Sequence, residues 1–108
     1  MKAKIAWLVS LALMALSSTV DAQDFGNAKA GQVYAERVCA ECHAVGPERA
    51  GSPHTRAPSF VDVANTRGMT SMALRVWLLS PHPSMPQLIL AEDDADNVIA
   101  YILTLKKR

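Results

Sequence analysis

Cysteine is almost absent: the 108-residue chain has two, Cys39 and Cys42. Histidine is nearly as scarce, with His43, His54 and His82. A structural zinc site takes about four nitrogen or sulfur ligands, and with His54 and His82 in no tight ligand spacing the chain does not supply them. Net charge is missing too. The formal balance is +1, and setting aside Lys2, Lys4 and Asp21 takes 11 basic and 10 acidic side chains to 9 and 9. A nucleic-acid binder needs a clustered basic surface, and none is expected here. No run reads convincingly as a strand, so the α/β setting of a thioredoxin-like Cys-x-x-Cys is lacking. Nor is any apolar stretch long enough to span a bilayer comfortably. The longest, residues 5–16 (IAWLVSLALMAL), gives about 18 Å of helix against a hydrocarbon core of roughly 30 Å.

That short run fits an export signal instead. Lys2 and Lys4 precede it, and Val20-Asp21-Ala22 offers small residues at the two positions a signal peptidase reads. Cleavage near Ala22 sets aside 22 of the 108 residues and leaves 86, a single domain over residues 23–108 in an oxidising compartment, with no stable membrane insertion. A domain of that size buries only about 60–65% of the surface its unfolded chain exposes, so a staple, metal or cofactor should supplement the core.

What the chain does have is concentrated in VCAECHAVG, where Cys39-Ala40-Glu41-Cys42-His43 puts both cysteines and a histidine into five positions. A disulfide across two intervening residues closes a very small loop and gives His43 no role. A c-type haem site uses all three residues. The two thiols add across the haem vinyl groups, the turn between them holds the porphyrin edge, and the following histidine turns its imidazole toward the iron. An electron-transfer haem then needs a sixth ligand on the opposite face, for which Met69, Met72, Met85, His54 and His82 are the candidates. Met85 lies in SPHPSMPQL, where Pro81, Pro83 and Pro86 stiffen the backbone and remove donors, a loop suited to holding a thioether in place. Met69 and Met72 open a helical stretch, where apolar side chains are more often ordinary core. His82, three positions before Met85, is the rival, and a surface loop histidine is its other reading. Met85 is preferred, given Met/His ligation in cytochromes c.

The remaining pattern is helical. Residues 28–42 read as a helix entered from Asn27. Residues 43–68 are broken by Gly46, Pro47, Gly51, Pro53, Pro58 and Gly68 and read as a loop with a short turn at 60–64. Thr70 caps a helix over 71–79 that Pro81 stops. The last helix runs from about Glu92 to Lys106, with Val98, Tyr101, Ile102 and Leu105 on one apolar stripe. Its acids (Glu92, Asp93, Asp94, Asp96) gather at its start and its bases (Lys106, Lys107, Arg108) at its end, as the helix dipole favours.

From about Gly31 to Leu105 the chain resembles a small bacterial class I cytochrome c. The resemblance is carried by Cys39-x-x-Cys42-His43, by Met85-Pro86 42 residues after His43, and by the closing DNVIAYILTL. It implies an all-α fold of three to four helices with long loops wrapped round one covalently attached haem. It also implies close crossing of the first and last helices, with Gly31 as the small residue and Val98 and Tyr101 as its partners. The family usually has an aromatic four residues before the first cysteine; here that position is Ala35 and the ring is on Tyr34. The resemblance further makes the Pro58 carbonyl an acceptor for the proximal histidine's second N–H, the alternative being an ordinary loop proline. Trp77, Arg56 and Arg67 become candidates for the propionates, against core packing for the tryptophan and solvation for the arginines.

With His43 and Met85 as metal ligands and Cys39 and Cys42 binding one haem c, iron has no open position. The expected job is then one-electron transfer in the periplasm. The protein would be a monomer without enzymatic activity, meeting redox donors and acceptors through small interfaces. Two alternatives stand beside this one: a haem c subunit fixed to a larger oxidase or dehydrogenase, and a sensor or peroxidase-like protein with a labile sixth ligand.

Overall fold

The computed structural model describes residues 26–80, 85 and 90–108, and all structural statements concern these residues. They form four α-helices and one short 3-10 turn, with no strand. The signal-sequence reading of residues 1–22 and His82 lie outside them.

Helix α1 spans Ala28–Arg37. Asn27 caps it, its side-chain oxygen accepting from the Ala30 N–H at 2.9 Å, as the cap signal predicts. The expected helix over 28–42 does not run through. It stops at Arg37, and after Val38 a 3-10 turn covers Cys39–Glu41. The Cys39 carbonyl then accepts from both the Cys42 N–H (3.1 Å) and the His43 N–H (2.9 Å), so the turn tightens as the chain leaves toward the loop.

Helix α2 spans Phe60–Asn65, a full six-residue element where the sequence suggested only a turn. Ser59 caps it, accepting from the Asp62 N–H at 3.1 Å. Helix α3 spans Ser71–Leu79, with Thr70 accepting from the Ala73 N–H at 3.1 Å. It buries Leu74 and leaves Met72, Val76, Trp77 and Leu79 exposed. Core packing is therefore not the role of Trp77, which is 59% exposed, nor of Met72 at 68%. Met69, by contrast, packs against the core.

Helix α4 spans Glu92–Thr104, two residues short of its expected end. No side chain caps it at Ala91; Glu92, Asp93 and Asp94 in its first turn answer the exposed N–H groups electrostatically. It buries Ala95, Val98, Ile99, Tyr101 and Ile102, the predicted stripe with its flanks. Leu105 is partly buried against the same cluster.

The most extensive packing is between α1 and α4. A Cβ at Gly31 would overlap the Asn97 carbonyl of α4, so the crossing needs a glycine there. Asn97 also accepts from the Asn27 N–H at 2.7 Å. Ala35 is fully buried and Tyr34 packs beside the core, so the crossing is filled with a methyl where a ring would be usual. Arg75 of α3 pairs with Asp96 of α4. The far end of α4 is held by Asn65, which donates to the Leu105 carbonyl (3.1 Å) and accepts from the Lys107 N–H (2.8 Å). Lys106 Nζ adds a bond to the Met69 carbonyl at 2.7 Å.

Candidate functional site

The 3-10 turn after α1 carries Cys39 and Cys42, both half-buried with free sulfurs. Burial pushes the Cys39 thiol up to about 11, so its surroundings disfavour the thiolate. Among the described residues no three His, Cys, Asp or Glu side chains gather into one cluster.

His43 follows the turn at once. Its Nδ1–H donates to the Pro58 carbonyl at 2.7 Å, so Pro58 is more than a loop proline. A carbonyl can only accept, so the proton sits on Nδ1, and in the neutral ring Nε2 carries the lone pair. The imidazole ring packs against Phe60 in a tilted pair, centroids 5.4 Å apart and planes at 50°. Phe60 in turn meets Tyr101 at 6.4 Å and 54°.

The loop after His43 is pinned to this turn by bonds distant in sequence. Ala44 N–H donates to Ser52 Oγ (3.0 Å), His54 N–H to the Cys42 carbonyl (3.1 Å), and Phe60 N–H to the Ala44 carbonyl (2.9 Å). Tyr101 OH donates to the Val45 carbonyl at 2.6 Å. Sequence reasoning missed Ser52, the backbone of His54 and the phenol of Tyr101. The last had a signal, since a buried tyrosine hydroxyl needs a partner, but nothing local named Val45. The His54 ring is exposed and its Nδ1 accepts from the Arg56 N–H at 3.3 Å. Arg56 and Arg67 are exposed, as solvated side chains would be. Met85 is half-buried, and its neighbours 81–84 and 86–89 lie outside the described residues.

Residues 28–106 match the family model for cytochrome c. The chain belongs to the cytochrome c family. It is also 38% identical over 96 residues to a protein named cytochrome c-552 from Bradyrhizobium diazoefficiens, covering 89% of this chain and 88% of that protein. No solved structure matches with significance. The cytochrome c family carries covalently bound haem c, and this member has the two cysteines such a bond requires. Its helical architecture is that of a cytochrome c, and its activity is electron carriage with redox partners. None of its described helices is long and apolar enough to cross a membrane.

Proposed function

We propose that the chain is a periplasmic one-electron carrier, a monomer whose single haem c is bound through Cys39 and Cys42 and ligated by His43 and Met85. The observation that carries the reading is the His43–Pro58 hydrogen bond at 2.7 Å. It fixes the proton on Nδ1, orients the ring and leaves the lone pair on Nε2 for a metal; a ligand imidazole is held and made more basic by such a second bond. The two thiols one turn earlier, unbridged and half-buried, fit a cofactor that takes both sulfurs. When bound, haem iron supplies a one-electron couple.

The chain's own residues then set its conditions. Phe60 packs against the His43 ring, and Ala44 and Val45, the two residues that follow it, are buried. Met85 is supported as the sixth ligand by its proline-framed sequence and its partial burial; a thioether favours Fe(II) over Fe(III) more than a second imidazole does. Export is supported by residues 1–22, with cleavage near Ala22.

The deciding measurement is a reduced-minus-oxidised visible spectrum of protein from its native host, together with the weak ferric band that methionine ligation gives. A low-spin c-type spectrum with that band is expected. A high-spin spectrum with ready carbon monoxide binding would instead indicate a labile sixth ligand. Co-migration with a larger complex on native size exclusion would mark a fixed subunit.

A further inference from the structure

The phenol of Tyr101 reaches 56 positions back along the chain to the Val45 carbonyl. We infer that Tyr101 is a positioning residue for the His43 imidazole, acting through Val45 and Phe60; the inference rests on His43 being the iron ligand proposed above.

The contacts form a closed circuit. Tyr101 is 6% exposed on α4 and holds the Val45 carbonyl at 2.6 Å. Val45 is buried two residues after His43, outside any helix, so its carbonyl needs a donor from elsewhere in the fold. The adjacent Ala44 carbonyl takes the Phe60 N–H at 2.9 Å. The Phe60 ring contacts both the imidazole and the phenol, with centroids 5.4 Å and 6.4 Å away. Pro58, whose carbonyl takes the imidazole proton, is only two residues before Phe60. One hydroxyl therefore anchors the segment that sets both the ring's face and its hydrogen-bond acceptor.

A phenylalanine would fill the core at position 101 equally well, but it would leave the Val45 carbonyl buried without a donor, and the desolvation of that group would no longer be offset. The 44–45 segment would relax, Phe60 would follow its Ala44 acceptor, and the His43–Pro58 bond would lengthen or bend. An imidazole with a weaker second bond is a poorer donor to iron. Fe(III) loses more than Fe(II), and the reduction potential rises.

The test compares Tyr101→Phe with Val98→Ala in haem-loaded protein. Val98 is fully buried on the same helix, in the same core cluster, but takes part in none of the hydrogen bonds or ring contacts of the circuit. Tyr101→Phe should raise the midpoint potential by a threefold or greater change in Fe(III)/Fe(II) preference, about 30 mV at about 59 mV per tenfold. It should also move the paramagnetically shifted proton resonances of the ferric histidine ligand. Val98→Ala should lower the unfolding midpoint and leave both readouts at wild-type values. If Tyr101→Phe only lowers the unfolding midpoint, the residue is structural and the inference falls. If the wild-type ferric spectrum carries no histidine ligand resonances, the His43 reading falls and takes the inference with it. Should Tyr101→Phe not accumulate as holoprotein, Phe60→Leu interrupts the same circuit and should raise the potential in the same direction; an unchanged potential there overturns the inference too.

Discussion

The proton on the His43 ring can be assigned because its partner, the Pro58 carbonyl, has nothing to donate. That assignment leaves the Nε2 lone pair available, and under the proposed ligation the sixth ligand, Met85, would tune the potential. Replacing Met85 by histidine exchanges a thioether for a second imidazole, and a hundredfold shift of preference toward Fe(III) corresponds to about 120 mV. Met85→His should lower the midpoint by that order in a redox titration; an unchanged midpoint would remove Met85 from the ligand set. Tyr101 gives a pH prediction at the same scale. Burial is the main cause that raises its phenol above the ordinary 10.0, with Glu36 and Glu48 adding. The folded state thus favours the neutral phenol, whose contribution is whole below pH about 10 and is lost as pH rises through the raised folded value. Urea unfolding should find wild type more stable than Tyr101→Phe at neutral pH, with the gap narrowing as pH rises above about 10. A constant gap would show that the hydroxyl does not titrate with folding.

Among the elements, the helix starts were readable and the ends less so. Asn27 and Thr70 carry side-chain oxygens that satisfy the first free N–H groups, and both caps fall where the sequence puts them. The path of the chain beyond α1 was hidden because bonds that fix it come from afar. Ala44 is fixed by Ser52 and the Cys42 carbonyl by the His54 N–H, contacts that no local pattern displays. The exposure of Trp77 was equally hidden, since α3 is apolar on several sides and Leu74 alone takes its fully buried position. Of the site, Cys39, Cys42 and His43 stand out as one motif, whereas the Tyr101–Val45 tie does not. The α1–α4 crossing was legible through Gly31, and it makes the sharpest prediction here. Alanine has the better helix propensity by about 1 kcal/mol, yet its methyl would overlap the Asn97 carbonyl. Overpacking typically costs about 1–3 kcal/mol, and here the obstacle is backbone. Gly31→Ala should therefore destabilise on balance by at least about 1 kcal/mol in denaturant unfolding; a neutral result would mean the helices separate freely.

For the molecule as a whole, the core is small. Among the described residues it is one cluster, in which α4 packs with Ala35, Val45, Phe60, Ala64, Leu74 and Leu90, and a chain of this size gains from a bound cofactor as well as from its own packing. Removing the haem by cleaving both thioether bonds should lower the unfolding temperature sharply and loosen the helices, as circular dichroism would record. Intact protein should weigh as the 86-residue processed chain plus one haem, with no alkylatable thiol after denaturation. Two titratable thiols would exclude covalent attachment. The topology also bears on the order of assembly. The longest helix-to-helix interface joins the beginning of the domain to its end, and Glu92 stands 50 positions after Cys42. A chain emerging from its amino terminus presents both sulfurs well before α4 exists to close over α1, so the thiols stay reachable until the last segment docks.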